Sequence, residues 1–201
     1  MGGYSEKCSH CNRWFLDRGS RAEHIKAKHM STYRELLLGC GAKRIKDRRL
    51  PSADLIRWHQ QDPGRSQAIG DYKSLPNEYD FTRLTTLDIN PDHRPDIQFN
   101  LERIDGEPHN QIPHVDHFGE IHACPDHHFD EIHAYEVLEH IGRQGDYRKF
   151  FDQFTEFWRI LKPDGLLFAT VPGWNSEWAW GDPSLTRVIT PGSLVFLSQR
   201  Q

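Results

Sequence analysis

The chain has 201 residues, 36% of them hydrophobic, with 25 basic and 29 acidic side chains and a formal charge of −4. That length accommodates one mid-sized domain plus a small appendage, and the mild acidity gives no global attraction to a polyanion. No apolar run approaches the ~18 residues of a membrane span, and no signal peptide is visible. Two of the four cysteines form a close pair and two stand alone, which fits a reducing compartment better than a disulfide framework, so a soluble cytoplasmic protein is expected.

The first element is a candidate metal module. Cys8, Cys11, His24 and His29 have the spacing C-x2-C-x12-H-x4-H. Two thiolates from a knuckle and two imidazoles from one helix face suit a closed tetrahedral zinc site, and zinc would supply most of the folding energy of so short a segment. Residues 4–30 resemble the two-cysteine, two-histidine finger family, with Phe15 at its usual aromatic position. Arg21 and Glu6 stand where that family places apolar residues. The positions the family uses for base contacts fall on Asp17, Ser20 and Glu23, unlike the arginine readout of guanine. A docking role is therefore expected over a DNA-reading one, and nucleic acid is only weakly supported as a partner.

Almost no linker separates this module, residues 1–30, from a main domain over residues 31–201. "YRELLLGCG" reads as a short buried strand ending in Gly-x-Gly. Residues 45–82 are polar and rich in proline and glycine, an insertion or lid with a helix near 52–60. "RLTTLDI" is a second strand and "DIQFNL" a third, and residues 105–128 are loop-like and rich in histidine. "FDEIHAYEVLEHI" begins as a strand and continues into a turn or short helix. "DYRKFFDQFTEFWRIL" is the clearest helix: Phe150, Phe151, Phe154, Phe157, Trp158 and Leu161 recur at three- and four-residue spacing, Asp146 can cap it, and "KPDG" stops it. "LLFATV" closes the series as another buried strand. Alternating strands and helices predict a mostly parallel α/β sheet.

Glycines ending the first strand permit a tight turn and close approach of a ligand. Asp88 ends the second strand, where a carboxylate can accept the hydroxyls of a ribose. Asn100 and Leu101 follow the third and could flank an adenine, and "EVLEH" follows the fourth. Together these point to a nucleoside-like cofactor at the carboxyl ends of the strands.

From about Tyr33 to Ser198 the sequence resembles the class I S-adenosylmethionine (SAM)-dependent methyltransferases. The resemblance rests on "LLLGCG", "TLDIN", "FNLE", "FDEIHAYEVLEHI", "WRILKPDGLLFATVP" and "ITPGSLVFL". It implies a Rossmann-like fold, with Gly39, Cys40 and Gly41 along the methionine part of SAM and Asp88 at its ribose. Asn100 and Leu101 would flank the adenine, Glu136 and Val137 would form the pocket floor, and His140 would face cofactor or substrate. No catalytic residue is singled out. The family's usual acid before the first glycine is Leu37 here, and its third glycine is Lys43. The family's final strands are not found after "ITPGSLVFL", so the expectation is either a truncated domain or an exposed sheet edge that a protein partner would cover.

Cys40 reads as a packing residue, because methyl transfer relies on alignment of acceptor and methyl. The loop "PGWNSEWAWGD" is where this fold holds its acceptor, with Trp174, Asn175 and Trp178 as candidate contacts. The sequence signatures of amino-directed and cytosine-5 DNA methyltransferases are absent. The expected function is SAM-dependent methyl transfer to an unidentified acceptor, with the finger for docking. The alternative is a non-catalytic scaffold that keeps the fold and uses the finger as its contact module.

Overall fold

The computed structural model of the chain describes residues 6–7, 14–15, 33–42, 44, 46, 81, 83–116 and 118–197. The candidate zinc ligands Cys8, Cys11, His24 and His29, together with Asp17, Ser20 and Glu23 and nearly all of the 45–82 segment where a helix is expected near 52–60, lie outside the described residues. The chain divides into two compact units, Met1–Arg34 with Ile45–Arg83, and Glu35–Arg44 with Leu84–Gln201. In the first, β1 (Glu6–Lys7) pairs antiparallel with β2 (Trp14–Phe15).

The second unit is built on a five-stranded sheet of β3 (Glu35–Leu38), β4 (Leu84–Asp88), β5 (Ile97–Gln98), β8 (Phe129–Tyr135) and β9 (Leu161–Thr170). Their order in space is β5-β4-β3-β8-β9, and every neighbouring pair is parallel. The first of these strands therefore lies in the middle. The chain works outward to β5 on one side, then crosses back and works outward to β9 on the other. This is the doubly wound, Rossmann-like α/β arrangement, with its topological switch point between β3 and β8. Among the described residues β9 is an edge strand.

Side chains alternate across the sheet. Leu36 and Leu38 of β3, Leu87 of β4, and Ile132 and Ala134 of β8 belong to one buried cluster with Phe154, Phe157 and Ile160 of α1 (Tyr147–Ile160). Each such side chain contributes about 1.5–3 kcal/mol by leaving water. The other face is polar although buried. There Glu131 accepts from His133 Nε2 at 2.8 Å, and His133 Nδ1 meets the Tyr135 hydroxyl at 2.7 Å. His133 also stacks on Phe168, ring centroids 5.0 Å apart. Glu35 lies opposite Glu131 in register, so β3 is not apolar throughout.

Asp146 caps α1 by accepting from the Lys149 N–H at 3.1 Å. The buried stripe of α1 is narrower than the sequence suggests. Phe151 and Trp158 face solvent at 40% and 73% exposure, because both fall on the side of the helix away from the sheet. Gln153 and Glu156 are buried in their place. The helix ends at Ile160, ahead of Lys162–Gly165, and β9 begins at once. Phe129 pairs with Leu161 and Glu131 with Leu166, so Lys162–Gly165 forms a bulge inside β9 rather than a separate turn. Lys162 Nζ reaches back to Asp130 at 2.6 Å.

The third strand is shorter than expected: β5 has two residues, after which Asn100 caps a 3-10 turn, Leu101–Arg103, by accepting from the Glu102 N–H at 3.0 Å. The histidine-rich segment is not all loop. β6 (Pro113–Val115) and β7 (Ile121–Ala123) form a small antiparallel pair, with His114 opposite His122. After β9 come the short helices α2 (Trp178–Gly181) and α3 (Pro191–Leu194), the latter started by a Thr190–Ser193 capping box. Among the described residues no helix is long and apolar enough to cross a membrane.

Candidate functional site

The site is built at the switch point, from the turns after β3, β4 and β8. Gly39 and Gly41 leave β3 with φ of 57° and 50°, in the left-handed region that side chains resist. Gly39 also packs directly on the turn after β8: a Cβ there would stand 2.5 Å from Val137 Cγ2. The two carboxyl-end turns that flank the switch point thus touch through a glycine. Gly39→Ala is expected to cost about 1–2 kcal/mol from backbone strain alone, with the Val137 clash added. Urea denaturation reads the loss, and the second change Val137→Ala should restore the clash portion and leave the strain.

Asp88, 6% exposed, ends β4 directly beside that turn. Its Oδ2 accepts from the Gly41 N–H at 3.0 Å and from His93 Nδ1 at 2.9 Å, and its Oδ1 from the Asn90 N–H at 2.8 Å. Burial pushes the carboxyl upward, but the Asn90 and Gly41 N–H groups and the His93 ring outweigh it, so its pKa lies below the ordinary carboxylate value. Asp88 is therefore an anion at neutral pH whose donors tie the glycine turn to β4. Cys40 Sγ lies 3.8 Å from Asp88 Oδ2. Burial and then the Asp88 charge push this thiol up, which keeps it protonated and unreactive.

The remaining candidates divide by exposure. Asn100 spends its side-chain oxygen on the Glu102 N–H, and Leu101 is buried in the core at 7%. Glu136 is exposed, at a φ of 55°, and its N–H is held by the Thr170 carbonyl at 2.9 Å. His140 is exposed, with Nδ1 on the Ser184 carbonyl at 3.1 Å. Trp174 and Trp178 are 60% and 66% exposed, and Asn175 is exposed beside them. Gly39, Cys40, Gly41, Asp88 and Val137 are brought together. Asn100 and the tryptophans sit at the same edge of the sheet, apart from that group.

Sequence reasoning passes over two residues here. His93 is one, and its signal was weak: the 3-10 turn Pro91–His93 folds it back onto Asp88. Glu139 is the other. It is 1% exposed, and neither carboxylate oxygen has a hydrogen-bond donor among the described residues. Its own carbonyl accepts from the Thr186 and Arg187 N–H groups at 3.0 and 3.2 Å, which lays residues 184–187 across the turn and seals the side chain in. Burial, then the neighbouring Glu136 carboxylate, push Glu139 from an ordinary 4.5 up to about 7.

The comparisons with known proteins are sparse. No protein-family model matches the chain, and no curated protein sequence matches it. Among solved structures it is similar to a SAM dependent methyltransferase from Archaeoglobus fulgidus, at 13% sequence identity and a TM-score of 0.47. The match covers 89% of this chain and 64% of that one, so the chain spans less than two thirds of that protein's length.

Proposed function

We propose that the second unit binds SAM at the switch point and transfers its methyl group to an acceptor held by the loop after β9, with the N-terminal finger docking a partner or substrate. The observation that carries this reading is the meeting of the left-handed glycine turn, the buried Asp88 anion and the Val137 turn at the carboxyl ends of three adjacent parallel strands. Gly39 and Gly41 present backbone without side chains, the surface a methionine tail needs. Asp88 supplies the carboxylate a ribose diol needs. SAM brings an electrophilic methyl on a sulfonium; the chain's part is to bind, align and exclude water.

A specific observation favours a second reading, the non-catalytic scaffold. Three donors already reach the Asp88 oxygens, and a ribose hydroxyl would have to share Oδ2 with the Gly41 N–H and the His93 ring. Titration of SAM and of S-adenosylhomocysteine into zinc-loaded protein separates the two. Micromolar binding, about 8 kcal/mol, that Asp88→Ala abolishes is the expected outcome. No heat from a folded sample would leave the scaffold reading.

A further inference from the structure

The turn after β8 carries a feature that the reading above leaves unused. Glu139 is a buried carboxylate with no donor on either oxygen among the described residues. An ion in that position is costly unless something compensates it. Three residues back along the same turn stands a second acid, Glu136, whose charge adds to burial in raising the Glu139 carboxyl. With both ionised neither can donate to the other; one proton held between them satisfies both. The other charges around Glu139 are His140 on the same turn and Arg187 from the segment that crosses it. Arg187 has Nε on the Leu138 carbonyl at 2.9 Å and an Nη2 bond to Gln153, while its buried Nη1 has no hydrogen-bond partner among the described residues. It leaves the Glu139 oxygens unpaired.

The two acids have different access. Glu139 is sealed, whereas Glu136 is exposed, one residue past the end of β8. It precedes Val137, which packs on Gly39, so Glu136 lies at the same edge of the sheet as the glycine turn. Its φ of 55° is a conformation that non-glycine residues seldom adopt, and such strain is common where a side chain is aimed for function. The Glu136 N–H is fixed to Thr170, and the loop that follows sets Trp174, Trp178 and Trp180 in solvent. Exposed aromatic side chains and acids both favour a cation.

We propose that Glu136 and Glu139 form a proton-sharing pair that recognises and deprotonates a basic aliphatic amine, and that the methyl acceptor is therefore such an amine. This rests on the methyltransferase reading. Glu136 touches the acceptor; Glu139 is a positioning residue that acts through Glu136. In the step, an ammonium N–H proton passes to the doubly ionised pair. The freed nitrogen lone pair forms the N–C bond to the methyl, and the C–S bond breaks with its electrons going to sulfur. S-adenosylhomocysteine and a methylated ammonium result, and the pair releases its proton to solvent. Exocyclic amines of nucleobases are not basic, so they fall outside the class.

Sinefungin tests this without knowledge of the acceptor, because it carries a protonated amine where SAM carries its methyl. The readout is the ratio of the dissociation constants of S-adenosylhomocysteine and sinefungin on the full chain, which cancels effects common to both. Wild type should favour sinefungin about tenfold at pH 8, the preference expected of one hydrogen bond between charged groups. The preference should fade toward pH 6 as the pair takes up its proton. Glu136→Gln should bring the ratio to about 1 at both pH values, and Glu139→Gln should flatten its pH dependence while Glu139→Asp restores part of it. Binding of S-adenosylhomocysteine with no preference for sinefungin, or a preference unchanged in both Gln variants, would overturn the proposal and leave the methyltransferase reading intact. Absence of any S-adenosylhomocysteine binding would remove both.

Discussion

Replacement of Arg159 by methionine should destabilise the second unit by about 3–5 kcal/mol, the cost of leaving a buried partner charge uncompensated. Arg159 is the clamp between α1 and the segment before β8. Its Nε and Nη2 grip the two oxygens of Glu156 at 2.8 Å each, and Nη1 holds the Cys124 carbonyl at 2.7 Å and Asp126 at 2.6 Å. Glu156 is 5% exposed and also accepts the Ile112 N–H at 2.8 Å. The guanidinium fork matches the carboxylate in a way that lysine cannot. Without Arg159 the Glu156 charge keeps a single donor, the Ile112 N–H, and the carbonyl of buried Cys124 loses its anchor. Urea denaturation measures the effect. The double change Glu156→Met with Arg159→Leu removes both charges and should recover most of the loss, since a buried pair replaced by apolar groups of similar volume is often neutral. A single variant within 1 kcal/mol of wild type would show that the clamp is solvated.

How much of this was legible in the sequence depends on whether an element is decided locally. β3 lies in the middle of the parallel sheet, covered on both faces, and its Leu36–Leu38 run stands out, as does the apolar Leu166–Phe168 run of the edge strand β9. α1 stands out through Phe150, Phe154 and Phe157, but the exposure of Phe151 and Trp158 follows from where the sheet lies, which periodicity does not supply. The β6–β7 pair was hidden because its strands are three residues long and rich in histidine. At the site, the nearness of Gly39, Gly41 and Asp88 was legible, since each ends an apolar run and carries a residue type with a known use there. His93 and Glu139 were not. Their partners are set by a short 3-10 turn and by residues 184–187 folding over from far along the chain.

A carboxylate sealed by a distant segment, with no donor supplied, works against stability, and proteins keep such features where a site needs them. Asp88 shows the opposite design, with three donors around one carboxylate. Within one edge of the sheet, the fold stabilises one anion and strands another, the separation of environments that gives two carboxylates different roles.

Glu139→Gln should accordingly stabilise the protein at pH 8 and make little difference at pH 5. The sign follows from proton linkage. Glu139 titrates at about 7 when folded and has an ordinary value of 4.5 when exposed, so between these values the folded chain holds a proton that the unfolded chain has lost. Stability is then full below about 4.5, falls as the pH rises, and stops falling above about 7. A shift of that size corresponds to about 3 kcal/mol, trimmed to about 2 kcal/mol by relaxation and solvent screening around the turn. Glutamine has nearly the same shape and no charge to bury, and it can donate to Glu136. Urea denaturation of wild type and Glu139→Gln at pH 5, 6.5 and 8 should show the gap between them opening through that window, by about 2 kcal/mol in favour of the variant. Parallel curves would mean that Glu139 is ionised throughout and compensated, and the strained, donor-poor turn after β8 would then need another explanation. A gap that opens with pH, joined to loss of the sinefungin preference in the same variant, would tie the instability and the recognition of an amine to one proton.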